Sequence, residues 1–382
     1  MPIPHERSCY TSEHDIFRQS VKGFLKQHFE PHISRFEQQR EVDRAFWIAC
    51  GSAGLLCPNV PSAYGGPGLD FSFNAVVTEE LAYTGCHGSL PLQSDIICDY
   101  FVEFGTEQQK LRYLPGMVSG SIIAAIAMTE PGAGSDLRGI QTTARRDGAD
   151  WIINGSKTYI SSGQHCDVVI VLAKTDPQGG SRGVSLFIVD NGTKGFVKGR
   201  KLDKIGLHSS DTSELFFDEV RVPAENLLGQ EGQGFVQIMQ LIPQERLSQA
   251  ILAQAGAQRA FDEALEFARN RMVFGQRLLD LQNTRFIMAN HATSLEVGWA
   301  FLDKIIIKAA ARQLSSREAS MAKLWHTEMQ WKLTDDCMQL HGGAGYMNET
   351  LIARLWRDAR VQRIYGGTSE ILREIIGREL AL

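Results

Sequence analysis

Hydrophobic residues follow two different periods along the chain, helical and strand-like, and these divide it into three continuous parts. From about residue 13 to residue 120 they recur at helical spacing, in segments such as DIFRQSVKGFLKQHFEPHISRFEQQ and NAVVTEELAYTG. Loops that contain Gly and Pro, such as PSAYGGPGLD, separate these segments. The pattern predicts a helical domain over residues 1–121.

From about residue 122 to residue 226 the period shortens to that of β-strands. Short β-branched or aromatic runs follow one another here: SIIAAIAMTE, ADWIINGSKTYISSG, DVVIVLAKT, GVSLFIVDN and SELFFDEVRV. Asp-Gly, Asn-Gly and Gly-Gly pairs, which favour tight turns, separate them. We expect an antiparallel β-domain over residues 122–227, in the form of a small barrel.

Helical spacing returns from about residue 232 and continues to the end of the chain. A long stretch from Gly234 to Arg271 carries Leu247 and Ile251 four residues apart, as on one face of a helix. Such helices bury their apolar faces by packing as a bundle, which we expect over residues 228–382. The three parts together predict an α+β multidomain chain.

Composition excludes several classes of partner. Charged residues make up 22% of the 382 residues, the net charge is −5 and no basic run is present, which argues against nucleic-acid binding. The longest apolar stretch, around Ile122–Met128, is too short to span a bilayer. The first residues carry Glu6, Glu13 and Asp15, unlike a signal or transit peptide. We therefore expect a bacterial cytoplasmic protein, with a mature mitochondrial matrix protein as the alternative.

Cysteine and histidine patterns indicate neither disulfides nor a metal site. The seven cysteines are an odd number without a CxxC pair, which favours buried thiols in a reducing compartment. The ten histidines form no HExxH or other zinc pattern, so we expect no metal.

A Gly-rich loop follows the first predicted strand. Thr129 leads into Gly132-Ala133-Gly134-Ser135, whose main-chain N–H groups and hydroxyls suit a pyrophosphate or the polar edge of a flavin. A plain turn explains the same glycines equally well. No GxGxxG leads into a helix with a downstream acid, which disfavours a Rossmann nucleotide site.

A second pair of glycines lies in RIYGGTSEIL. Gly366 and Gly367 precede Thr368-Ser369-Glu370, which resembles an N-cap with an early acidic residue, so the glycines lie just before a helix. They serve either a turn with positive φ or a backbone cleared for a ligand at the helix N-terminus.

Five motifs occur in an order that resembles the acyl-CoA dehydrogenase family: MTEPGAGSDLRG, INGSKTYISSG, RMVFG, QLHGGAGY and IYGGTSEI. The resemblance covers nearly the whole chain. It implies an N-terminal helical domain, a middle β-domain, a C-terminal four-helix bundle, FAD between the last two, and a homotetramer. An acyl-CoA substrate and an electron-transferring flavoprotein as electron acceptor follow from the same resemblance.

The resemblance also implies site residues. Those around the flavin and substrate are Ile126, Met128, Thr129 and Ser135, and those against the isoalloxazine ring are Tyr159, Ile160 and Ser161. The segment that reaches the FAD of a neighbouring subunit contains Arg271, Phe274 and Gln282. Contacts to the adenylate half are implied for Gln339, Gly342, Gly343, Thr368 and Glu370. Substrate contacts are implied for Ser135, Pro243, Gln244, Arg246, Tyr365 and Gly366. Without the resemblance, these residues suit strand, cap, turn and solvated positions.

The base of the implied reaction is the main departure from the family pattern. A carboxylate must take the pro-R α-proton of the acyl-CoA while a β-hydride passes to flavin N5, and many members carry it where this chain has Gly366. Glu245, in LIPQERLSQA, resembles the base of long-chain and isovaleryl-type members. Gly366 would then clear the space that Glu245 enters, and its N–H would polarise the thioester carbonyl. We expect burial to raise the pKa of Glu245. By itself, a mid-helix glutamate beside Arg246 is typical of a surface ion pair.

The function hypothesis is an FAD-dependent acyl-CoA dehydrogenase of β-oxidation that acts on long-chain or branched acyl groups. An acyl-CoA oxidase is one alternative, which the chain length disfavours. A non-catalytic flavoprotein or acyl-CoA-binding scaffold is the other: Gly366 favours it and Glu245 opposes it.

Overall fold

The computed structural model describes residue 3 and residues 6–381. Its first part is helical, as predicted, with a π-helical segment at Gln93–Ile97. The helices are α1 (Ser12–His28), α2 (Ile33–Gln39), α3 (Arg44–Ser52), α4 (Phe71–Tyr83), α5 (Leu90–Leu92), α6 (Cys98–Phe104) and α7 (Glu107–Ser119).

The second part is a sheet of eight strands. They are β1 (Ala124–Ala127), β2 (Thr143–Asp147), β3 (Asp150–Ser161), β4 (Val168–Lys174), β5 (Val184–Asp190), β6 (Phe196–Lys201), β7 (Thr212–Pro223) and β8 (Leu227–Leu228). Their spatial order is β6-β7-β3-β2-β4-β5-β8, and β1 pairs with β4. Most pairs are antiparallel, as expected, but β1 runs parallel to β4 and β2 meets β4 in a single parallel pair. The β2–β3 hairpin lies between β1 and β4 in sequence and provides the long crossover that a parallel pair needs.

Turn chemistry and burial explain this sheet. Gly148 has a φ of 64° in the two-residue loop that joins β2 to β3, a conformation that glycine adopts without steric cost. In β4, Ile170 and Leu172 belong to a core shared with the amino-terminal helices, whereas Val169 and Val171 belong to a core of the sheet itself. Both faces of β4 are therefore buried, which accounts for its continuous apolar sequence.

The third part returns to helices, again as predicted. They are α8 (Gly234–Asn270), α9 (Gln282–Ala310), α10 (Ser316–His341), α11 (Leu351–Ala359) and α12 (Ser369–Leu380). A small hairpin of β9 (Met272–Val273) and β10 (Gln276–Arg277) follows α8. Helix α10 packs on α8, α9, α11 and α12, and α8 also packs on α4, so α8 joins the amino-terminal helices to the bundle.

The state of the cysteines agrees with the sequence-based expectation. All seven cysteines are free thiols, and six of them are buried, with Cys9 partly exposed. Among the described helices, none is both long and apolar enough to cross a bilayer.

Candidate active site

Glu245 lies deep in the molecule on α8. Its side chain nevertheless keeps some accessible surface. Burial raises the pKa of Glu245, and the nearby positive charges of Arg246 and of Lys323 on α10 oppose this increase. The carboxylate in turn helps to raise the pKa values of two buried phenols, Tyr100 on α6 and Tyr365. A carboxylate in this setting is suited to act as a base near neutral pH.

The glycine turn is anchored beside this carboxylate by two cations. Arg246 Nε donates to the carbonyl oxygen of Gly366 at 3.4 Å, and Lys323 Nζ donates to that of Gly367 at 2.7 Å. Both glycines have positive φ, 62° and 97°, which confirms the turn interpretation of the pair. Burial and the charge of Arg246 lower the pKa of Lys323 to about 8 against the charge of Glu245. The helix after the turn begins as predicted, because Thr368 Oγ1 accepts from the N–H of Ile371 at 3.3 Å.

Gln249 is the site residue that the sequence interpretation missed. Its Nε2 donates to Glu245 Oε1 at 3.4 Å, one helical turn away. A Cβ atom at Gly366 would come within 2.1 Å of the same Nε2 and 2.3 Å of Oε1. The side chain nearest to the space above Gly366 is therefore that of Gln249, and not that of Glu245. The i, i+4 spacing of the two residues is the only sequence signal for this arrangement.

Two further residues of the LIPQER segment, Pro243 and Gln244, were also predicted to contact substrate. Pro243 is buried inside α8, where it removes one main-chain hydrogen bond. Gln244 Nε2 donates to the carbonyl oxygen of Asp95 at 2.7 Å and to the carboxylate of Asp99. The Gln244 side chain is thus turned towards the amino-terminal helices, and its contact with substrate stays a prediction.

The two strand motifs predicted to hold the flavin lie side by side. The Thr158 N–H donates to Thr129 O at 3.0 Å, and Lys157 Nζ donates to Met128 O at 3.0 Å. A bulge in β3 between Lys157 and Ile160 leaves Tyr159 at a φ of 60° with 68% of its surface exposed. An exposed aromatic held at positive φ beside buried strand residues indicates a functional constraint.

The remaining predicted residues of this region are partly or fully accessible, except for Ile160. Ile126, Met128, Thr129 and Ser161 are partly buried, and Ser135 in the Gly-rich loop is exposed. A Cβ atom on either Gly132 or Gly134 would meet nothing within 4 Å, so the loop is open on that side. An aromatic face, free hydroxyls and an open glycine loop are the groups that a flavin with its pyrophosphate requires, so these residues fit FAD.

A second group of predicted residues lies at the surface of the chain. Phe274, at the tip of the β9–β10 hairpin, is 96% exposed. The other exposed members are Arg271, Gln282, Gln339, Gly342, Gly343 and Glu370. Their roles stay predictions, because within one chain they face solvent.

Comparison with known proteins agrees with this architecture. Models of the acyl-CoA dehydrogenase N-terminal, middle and C-terminal domains match residues 11–121, 125–220 and 232–381. A long-chain specific acyl-CoA dehydrogenase, mitochondrial, from Sus scrofa is 48% identical over 98% of this chain and 88% of its own length. The chain belongs to the acyl-CoA dehydrogenase family. The predicted family and its three-part fold are thereby confirmed.

Solved structures of acyl-CoA dehydrogenases superpose closely. An acyl-CoA dehydrogenase from Geobacillus kaustophilus has a TM-score of 0.96 and 44% identity, covering 99% of this chain and 100% of its own. A glutaryl-CoA dehydrogenase from Mycobacterium smegmatis, solved in complex with FADH2, has a TM-score of 0.91 and 26% identity, covering 97% and 95%. Acyl-CoA dehydrogenases are flavoprotein oxidoreductases, and this chain has their three-part fold.

Proposed function

We propose that this acyl-CoA dehydrogenase converts a long-chain or branched acyl-CoA to its trans-2-enoyl-CoA, with Glu245 as the base that takes the α-proton. The observation that carries the proposal is the position of Glu245 beside the turn formed by Gly366 and Gly367. Arg246 contacts this turn directly, and Lys323 contacts its second glycine. The relative from Sus scrofa, named for long-chain substrates, supports the acyl class.

The glycine turn supplies a hydrogen-bond donor for the thioester. The main-chain N–H of Gly366 has no acceptor among the described residues, so it is free to donate to a carbonyl oxygen. A donor at this oxygen stabilises the negative charge that develops when the α-proton leaves. The proton passes to a Glu245 carboxylate whose raised pKa brings it closer to working pH.

FAD, when bound, would accept the hydride from Cβ. We assign its flavin end to the strand residues Met128, Thr129, Tyr159 and Ser161 and its outer part to the surface group that includes Arg271 and Phe274. In a homotetramer the latter residues would reach the FAD of a neighbouring subunit. We further propose an electron-transferring flavoprotein as the acceptor, a division into domains at residues 1–121, 122–227 and 228–382, and a bacterial cytoplasmic location.

The decisive experiment is anaerobic. The protein is purified with FAD and mixed with palmitoyl-CoA, and the absorbance of the oxidised flavin is followed in wild type, Glu245→Gln and Glu263→Gln. Glu263 is a matched control because it lies on the same helix and pairs with Arg259 near the surface. We expect bleaching in wild type and in the control, and a loss of at least about 100-fold in rate in Glu245→Gln.

Each other outcome has a definite meaning. Equal bleaching in all three proteins would support the dehydrogenase activity and would assign the role of the base to another carboxylate. If wild type does not bleach with palmitoyl-CoA or with shorter, branched and aromatic thioesters, the scaffold alternative replaces the proposal. Rapid reoxidation by oxygen after bleaching would instead indicate an oxidase.

A further inference from the structure

The amide of Gln249 lies between the base and the glycine turn. Gln249 is only 6% exposed, so its side chain has little freedom. Its Nε2 is 3.4 Å from Glu245 Oε1, and both its amide atoms lie within 2.3 Å of where a Cβ on Gly366 would be. One side chain thus touches the carboxylate and fills the volume that a side chain at position 366 would need.

The orientation of this amide follows from the chemistry of its partner. A carboxylate accepts hydrogen bonds and donates none, so Nε2 faces Glu245, whereas the reverse orientation would place two oxygens together. Gln249 Oε1 is buried and has no hydrogen-bond partner among the described residues. The contact with Glu245 is therefore the interaction that orients the amide.

We propose that Gln249 is a positioning residue that holds Glu245 through its amide and keeps position 366 closed to any side chain larger than hydrogen. The proposal rests on the proposed role of Glu245 as the base. Glycine at position 366 and glutamine at position 249 therefore depend on each other, because the amide of Gln249 fills the space that a side chain at position 366 would occupy.

Four other groups face Glu245 from the surrounding elements. Arg246 lies on the same helix, Lys323 on α10, Tyr100 on α6 and Tyr365 on the segment before α12. None of these is altered when Gln249 is replaced. A neutral donor stabilises the charged form of a carboxylate, so removing it raises the pKa of Glu245.

The first test compares Gln249→Leu and Gln249→Met with wild type. Both variants keep an extended side chain and lose the donor. We expect the acid limb of the pH profile of anaerobic flavin reduction to move up by about one pH unit, which lowers the rate on that limb about tenfold. Infrared titration of the carboxyl band that disappears in Glu245→Gln should show the same movement without any turnover.

Gln254→Leu is the structural control. Gln254 is another buried glutamine of α8, and its Nε2 donates to Leu295 O at 3.0 Å, away from the base. Its loss should lower stability and leave the acid limb in place. If Gln249→Leu and Gln249→Met behave like this control, Gln249 is a packing residue and the proposal is wrong.

The second test is a thermal double-mutant cycle. Gly366→Ala should lower the melting temperature of wild type, because of both its positive φ and the contact with Gln249. In a Gln249→Ala background the strain from the positive φ remains, but the contact with the Gln249 amide is gone. Gly366→Ala should therefore lower the melting temperature by less than it does in wild type. Equal losses in both backgrounds would overturn the steric part of the proposal.

These readouts separate the two proposals. If wild type fails to bleach with every thioester, the proposed function fails, while the infrared titration and the melting cycle still decide the role of Gln249. If wild type bleaches but replacing Gln249 changes neither the titration of the Glu245 carboxyl group nor the effect of Gly366→Ala on the melting temperature, the proposed function stands and the role of Gln249 is refuted.

Discussion

Lys157 joins the two segments that we assign to the flavin, through a buried ion pair. Its ammonium group donates to Glu130 Oε1 at 2.9 Å, and Glu130 also accepts from the N–H groups of Gln141 and Thr142. Burial lowers the pKa of Lys157 to about 8, against the charge of Glu130. Removing one member of such a pair leaves the other charge buried without compensation.

We therefore predict that Lys157→Met lowers the free energy of unfolding by about 3–5 kcal/mol, as measured by urea denaturation. Arg145→Met is the matched control, because Arg145 pairs with Glu219 where both side chains are largely exposed. That control should cost no more than about 1 kcal/mol. An equal fall in the free energy of unfolding in the two variants would show that the buried ion pair stabilises the fold no more than the exposed one.

At the scale of elements, α8 and the segment from Gln93 to Phe104 meet through a polar seam. Ser248 Oγ donates to Asp95 at 2.6 Å, and Asp99 accepts from Gln244 and, at 2.5 Å, from Asn59. Burial raises the pKa of Asp95 to about 6 and that of Asp99 to about 7, against these hydrogen bonds. The seam therefore titrates near neutral pH, far above the pKa of about 3.9 of an unfolded aspartate.

The sign of the resulting pH dependence follows from linkage. Between about pH 4 and pH 7, Asp95 and Asp99 are protonated in the folded protein but ionised in the unfolded chain. Their contribution to the free energy of unfolding is therefore fully present below about pH 4 and is lost as the pH rises through 6 to 7. We predict that Asp99→Asn flattens the fall in melting temperature from pH 5 to pH 8. Asp203→Asn, at an exposed position, should keep the slope of wild type. A wild-type slope in Asp99→Asn would contradict the raised pKa.

At the scale of the whole molecule, one hairpin presents apolar surface to solvent. Phe274 is 96% exposed at its tip, and Met272 on the same hairpin is also exposed. An aromatic side chain at this level of exposure, with positive φ, gains nothing within its own chain. A neighbouring subunit with its FAD is the partner that we propose for it.

Phe274→Ser should therefore lower the oligomeric mass measured by light scattering, or weaken the retention of FAD on gel filtration. Ile16→Ser is the control, since Ile16 is an exposed apolar residue on α1. It should change neither quantity. If Phe274→Ser keeps both the oligomeric mass and the FAD content of wild type, the hairpin is not part of the contact between subunits.

Much of this architecture was predictable because it is encoded locally. The long helix ends one residue before its predicted end, and the Gly366-Gly367 turn and the cap at Thr368 were read from short patterns. The two parallel pairings of β4 were not predicted, because alternation along a strand does not specify its neighbours.

The sequence by itself determined the three-part organisation, the family and the carboxylate offered as the base, because period, turn residues and ordered motifs are properties of neighbouring residues. Only the tertiary structure decided what surrounds that carboxylate. Gln249 is far from Gly366 in sequence, and Lys323 and Tyr100 come from two other helices. Their meeting depends on how helices pack, and packing also sets the burial that raises the pKa of Glu245.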